Sequence, residues 1–165
     1  MKYSLVRPTI KTGDILAWSE GSWKSWYEIQ LNLVRMGTRS EWNHVGLAWV
    51  IAERVFVIEA VVPRVRIFPL SKVLPCYMVK YDHSDIEEET LLAQVGLPYS
   101  KWEAIKAFLG KVRTGDNGVW ECAEVVNWII GQKDLDWLTL DATPTETVKY
   151  ALEHCNGIVT FIDKD

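Results

Sequence analysis

Apolar residues along this chain recur in two rhythms, a period of two that marks half-buried strands and one near 3.6 that marks helices facing a core. The turn Gly13-Asp14 launches a short apolar strand, ILAW (15–18), and residues 22–37 then carry Trp23, Trp26, Tyr27, Ile29 and Leu33 in helical rhythm up to Gly37. Two runs rich in β-formers follow across a very short break, NHVGLAWVI (43–51) and RVFVIEAVV (54–62), with further strands predicted in RVRIFPL (64–70) and CYMVKYD (76–82). Ser84 to Glu87 has the spacing of a capping box and predicts a helix through about Val95, after which GLPYS (96–100) breaks the chain before a helix over 101–110. Beyond the polar loop KVRTGDNG (111–118), Cys122, Val125, Val126, Ile129 and Ile130 share one face of a helix with Gly131 as its stop. Thr143-Pro-Thr-Glu146 is a second capping box with proline at the first helical position. Its helix runs to about Cys155 and stops at Gly157, leaving IVTFI (158–162) as a final strand. The sum predicts one α+β domain over residues 1–165, a mostly antiparallel sheet with helices packed against it.

Composition narrows the function classes. The chain has 165 residues, 48% hydrophobic and 24% charged, an ordinary globular make-up with enough residues for a sizeable core. A formal charge of −4 argues against nucleic-acid binding, which wants a basic face. The three cysteines, Cys76, Cys122 and Cys155, contain no CxxC pair, so neither a disulfide framework nor a structural zinc site is expected and a reducing compartment is favoured. The start, MKYSLVRPTIKTGD, lacks the apolar stretch of a signal peptide, and no run approaches transmembrane length. A cytoplasmic protein without a stable membrane anchor is expected. Nine tryptophans are many for this length, and most are assigned to the core.

The chemistry turns on Cys122. Free cysteine is often a small core hydrophobe, but the first turn of a helix offers free N–H groups and partial positive charge to a thiolate. Glu121 and Glu124 oppose that unless they point away, so a nucleophilic thiol here needs a base. His154 stands late in an amphipathic helix beside its C-terminus, where a cation is favourable, and His83, in the strand-to-helix turn YDHSD, reads as an exposed polar residue. His44 differs, because it opens a strand whose alternate positions are Gly46 and Ala48, small residues that leave room on its face for another element, while Val45, Leu47, Trp49 and Ile51 fill the opposite face. On the next strand Glu59 stands between Ile58 and Ala60 and needs a partner, since an unpaired buried charge is strongly unfavourable. A two-residue loop at Ile51-Ala52 would set Glu59 opposite His44, and one at Ala52-Glu53 would move it one diagonal step along the same face. Arg64 and Arg66 are the alternative partners for Glu59. Cys122, His44 and Glu59 then form a nucleophile, base and orienter.

The segments GDILAW, NHVGLAWV, VIEA, GLPYS, WECAEVVNWI and TPTET, in that order over roughly Gly13 to Val148, resemble the permuted branch of the NlpC-type papain-like cysteine hydrolases. This is the YiiX-like group, more distantly similar to lecithin retinol acyltransferase. The resemblance implies a circularly permuted papain-like fold in which the histidine strand precedes the cysteine helix. It carries the family's nucleophile onto Cys122, its base onto His44, its polar orienter onto Glu59, and its Gly-x-x-Tyr feature onto Gly96 and Tyr99. Ala123 departs from it, standing where relatives often have serine after the cysteine.

The implied activity is that of a cysteine hydrolase or acyltransferase acting on an amide, peptide or acyl-ester bond through an acyl-enzyme, without a cofactor. The Cys122 backbone N–H, free at a helix start, is the natural first oxyanion donor. Trp18, Trp42, Trp120 and Tyr99 adjoin the motif segments and are candidates to line a cleft for a small-molecule, peptide or acyl substrate. Two other readings stand beside it: a zinc-dependent hydrolase with Cys122, His44 and Glu59 as metal ligands, and a non-catalytic binding or assembly module that keeps the fold. The oligomeric state is left open.

Overall fold

In a computed structural model that describes residues 1–19, 42–83, 85–98, 121–140 and 143–165, six strands form one sheet in the order β4-β3-β2-β1-β5-β6. They are β1 (Ile15–Trp18), β2 (His44–Ile51), β3 (Arg54–Val61), β4 (Arg64–Pro69), β5 (Cys76–Lys80) and β6 (Ile158–Ile162), and every neighbouring pair is antiparallel. The described helices are α1 (Tyr3–Val6), α2 (Glu88–Leu92), α3 (Cys122–Gly131) and α4 (Pro144–His154). The expected α+β class and mostly antiparallel sheet are therefore what is found. The helices expected over 22–37 and 101–110, and the loop 111–118, lie outside the described residues. None of the described helices is long and apolar enough to cross a membrane.

The strand alternation sorts side chains into two cores. Val45, Leu47, Ile58 and Ala60 pack with Ala123, Val125, Val126 and Ile129 of α3 and with Val148 and Ala151 of α4. Leu16, Trp18, Ala48, Val57 and Met78 face the other way, toward Tyr3, Val6 and Ile10 of the N-terminal segment. Helix α3 is anchored to α4 by a buried bond from the Thr147 hydroxyl to Asn127 Oδ1 at 2.8 Å. Thr143 caps α4 as expected, its hydroxyl accepting from the Glu146 N–H at 3.2 Å, with Pro144 in the first turn.

Three local expectations are corrected. Helix α2 begins at Glu88 rather than after Ser84, and its N-cap residue, Glu87, makes no side-chain cap bond. The chain stays non-helical through 85–87, where Ile86 is buried in the core beneath Gly13. Gly131 does not stop α3 but is its last residue, and its lack of a side chain matters for packing: a Cβ there would lie 2.4 Å from Leu138 Cδ2. His83 is not an exposed turn residue. Its side chain is mostly buried, its ring lies on Tyr81, and its Nε2 stands 3.8 Å from Asp14 Oδ1. His154 is the last residue of α4, at the C-terminal end where it is expected, and is exposed and stacked on Tyr150.

Candidate functional site

The hairpin between β2 and β3 sets the site's register. Ile51 pairs with Arg54, so the loop is Ala52-Glu53, with φ of 46° and 62°. Two central residues in the left-handed region make the tight two-residue connection whose twist suits a hairpin. Its even length keeps His44 and Glu59 on one face, with Glu59 one diagonal step from His44. Gly46 occupies the position between them, and a Cβ there would lie 3.2 Å from Glu59 Cβ and 2.8 Å from the Ile58 carbonyl oxygen. The room that Gly46 leaves is filled by β3 itself, so Glu59 can lean across to His44. Helix α3 packs on the Val45 and Leu47 face and reaches His44 only at its first residue, Cys122.

His44 and Glu59 are both buried, at 3% and 2% exposure, and His44 Nε2 lies 2.7 Å from Glu59 Oε2. Burial works against a charged imidazole, but hydrogen bonds to the Cys122 and Glu59 side chains, and their charges, outweigh it and raise the His44 pKa from 6.5 to about 10. His44 therefore holds its proton at neutral pH. Burial likewise works against the Glu59 carboxylate, and His44 followed by Arg66 overcomes it, holding the group below the usual carboxylate range. Arg66 stands directly across the β3–β4 pair from Glu59, and its Nε and Nη2 both donate to Oε1, at 2.9 and 2.7 Å. Glu59 thus has both candidate partners at once, His44 on one oxygen and an arginine on the other.

Cys122 is the first residue of α3 and half-buried, and it meets His44 where the two elements begin. Glu124, one of the two carboxylates that would oppose a thiolate, is turned to the helix end, where its Oε2 accepts the Glu121 N–H at 2.9 Å. Trp18 is buried, its ring 5.3 Å from that of His44 and its Nε1 donating to the Val73 carbonyl, so it packs behind the imidazole. Trp42 is half-buried and lies edge-on to Tyr77 at 4.8 Å. Tyr99 and Trp120 lie outside the described residues.

Two residues of this neighbourhood escaped the sequence reading as parts of a site. Arg66 was legible only as a possible partner of Glu59, because its place opposite depends on the β3–β4 register. Asn43, just before His44, is 2% exposed, and among the described residues neither polar atom of its buried side chain has a hydrogen-bond partner. No sequence signal marks such a residue. An unsatisfied buried amide costs roughly 1–3 kcal/mol, so Asn43→Leu, similar in size, is expected to leave the urea midpoint unchanged or raise it. A lower midpoint would show that the amide bonds something in solution.

No family model and no curated protein matches the chain. Among solved structures it is similar to the metalloprotein yiiX from Escherichia coli O157:H7, with a TM-score of 0.54 and 19% identity over 76% of this chain and 67% of that one. The chain has a yiiX-like fold. The relationship is distant, and at this identity the likeness is one of backbone architecture rather than of shared chemistry.

Proposed function

We propose that the chain is a thiol hydrolase or acyltransferase of the permuted papain-like kind, cleaving an amide, peptide or acyl-ester bond with Cys122 as nucleophile, His44 as acid–base and Glu59 as orienter. The observation that carries this reading is a buried imidazole hydrogen-bonded to a buried carboxylate and to a half-buried thiol at a helix start. That chain of groups matches the nucleophile, base and orienter of covalent acyl transfer.

Transfer of the thiol proton to His44 leaves an imidazolium beside the Cys122 sulfur, the ion pair from which the reaction starts. Cys122 Sγ attacks the carbonyl carbon, and the carbonyl π pair moves onto oxygen beside the Cys122 N–H, which lies outside the helix ladder. Collapse of the tetrahedral species breaks the bond to the leaving group, which takes the proton from His44. The neutral imidazole then draws a proton from water, or from an acceptor alcohol or amine, as that molecule attacks the thioester. Expulsion of the thiolate leaves the proton on His44 and restores the ion pair. Glu59 keeps its charge throughout. A thiol-directed activity probe followed by peptide mapping tests the assignment, because it requires no knowledge of the substrate.

The similarity to a metalloprotein raises a second reading, with zinc held by Cys122, His44 and Glu59. The donors do not suit it. Glu59 spends one oxygen on His44 Nε2 and the other on a guanidinium, a cation that would sit beside the metal. Among the described residues no group of three or more His, Cys, Asp and Glu side chains is arranged to hold a metal ion. Protein purified without added zinc is therefore expected to hold less than stoichiometric zinc, and EDTA to leave the Cys122 labelling rate unchanged. Stoichiometric zinc whose removal alters that rate would favour the metal reading.

A further inference from the structure

Arg66 has no counterpart in the three-residue scheme, yet it is the residue most fully engaged with Glu59. We propose that Arg66 is a positioning residue of this site, holding one oxygen of Glu59 so that the other is presented to His44. The inference rests on the reading of Cys122, His44 and Glu59 given above. Two donors of one planar guanidinium converge on Oε1, at 2.9 and 2.7 Å, while Oε2 lies 2.7 Å from His44 Nε2. With its oxygens claimed by partners on two different strands, the carboxylate cannot rotate without losing bonds on both sides.

The guanidinium is itself held, with its central carbon 4.5 Å from the centroid of the Phe68 ring, and the Arg66 side chain is 38% exposed. Part of its hydration is therefore kept, whereas Glu59 is almost wholly buried. Among the described residues the charged or titratable groups facing this chain of bonds are His44 from β2, Arg66 from β4 and, beyond the imidazole, Cys122 from α3. Without Arg66 a buried carboxylate would keep His44 as its remaining cation and would take up a proton more readily. Once Glu59 is neutral, His44 loses its counter-charge and releases its proton more easily, so the Cys122 sulfur loses the cation beside it. The acid limb of thiol reactivity then moves to higher pH.

The test is the rate of Cys122 alkylation by iodoacetamide between pH 3.5 and 8, read by peptide mapping, for wild type, Arg66→Met and Arg66→Lys. The acid limb is expected to rise by about one pH unit in Arg66→Met, the low end for loss of an adjacent cation. Arg66→Lys, which keeps the charge but not the fork, should fall between. An Arg66→Met chain that is less stable in urea but keeps the wild-type profile would make the pair purely structural and overturn the proposal. Should Arg66→Met not fold, a wild-type profile in Arg66→Lys overturns it equally. If wild-type Cys122 reacts no faster than Cys76 and Cys155, the thiol-hydrolase reading itself falls, and the role of Arg66 with it.

Discussion

Iodoacetamide at pH 7 is expected to modify Cys122 at least about a hundredfold faster than either other cysteine, and Cys122→Ala to remove that fast phase while leaving the fold intact. Cys76 is buried on the second core, and burial pushes its pKa up to about 12, so about one molecule in 10⁵ carries the thiolate at neutral pH. Cys155 is also raised, by burial first and then by Asp134 and Asp82. Cys122 differs from both in being hydrogen-bonded to an imidazole that holds its proton, at the positive end of a helix. The Ala variant removes one sulfur from a half-buried position, a loss of about 1–2 kcal/mol that a domain of this size tolerates. Peptide mapping against time, with circular dichroism of the variant, provides both readings. Equal rates at the three thiols, or a variant that fails to fold, would return Cys122 to the role of a core side chain.

Glu59→Gln is expected to slow Cys122 alkylation nearly as much as His44→Ala does, and to destabilise the chain by about 3–5 kcal/mol, the usual cost of breaking a buried ion pair from one side. Glutamine keeps the size of the side chain but removes the charge that stabilises both the imidazolium and the bound guanidinium. Because the two residues act as a unit, the double variant should be little worse in reactivity than either single one. Additive losses would mean that Glu59 serves Arg66 and the sheet without serving His44.

The pH dependence has a definite sign. Between pH 6.5 and about 10, folded His44 holds more protons than the unfolded chain, so its contribution is complete below 6.5 and is lost as pH rises through about 10. Glu59, with its pKa lowered from 4.5, holds fewer protons when folded, so its contribution is present above 4.5 and is lost as pH falls through the lowered value. Urea midpoints should therefore be highest between about pH 4.5 and 6.5 and decline toward pH 10, with the alkaline decline flattened in Glu59→Gln.

Much of the architecture could be read directly from periodicity. The runs at 15–18, 43–51, 54–62, 64–70, 76–82 and 158–162 became β1 to β6 with ends displaced by two residues at most. Helix α3 starts at Cys122, where the apolar stripe places it, and α4 starts at Pro144 behind the Thr143 cap. Alternation and capping chemistry are local properties, so a linear reading captures them. The same holds for the prediction that any even hairpin loop puts His44 and Glu59 on one face, because side chains in strands repeat every two residues.

What pattern could not reach was decided by contacts between distant segments. The choice of Ala52-Glu53 over Ile51-Ala52, which sets Glu59 diagonal to His44 rather than directly opposite it, leaves every side chain on its own face, so alternation alone could not make it. The fork from Arg66 exists because β4 pairs with β3 in one register, and the protonated state of His44 because β3 and α3 bring Glu59 and Cys122 to it and outweigh the burial that opposes its charge. His83 was misjudged for the same reason: its turn looks polar in sequence, but the fold lays it against Tyr81 and Asp14. The sequence by itself thus determined which segments become strands and helices and which side chains share a face. Only the tertiary structure decided which charges lose their water and which partners compensate them, because desolvation depends on everything packed around a group and not on its neighbours along the chain.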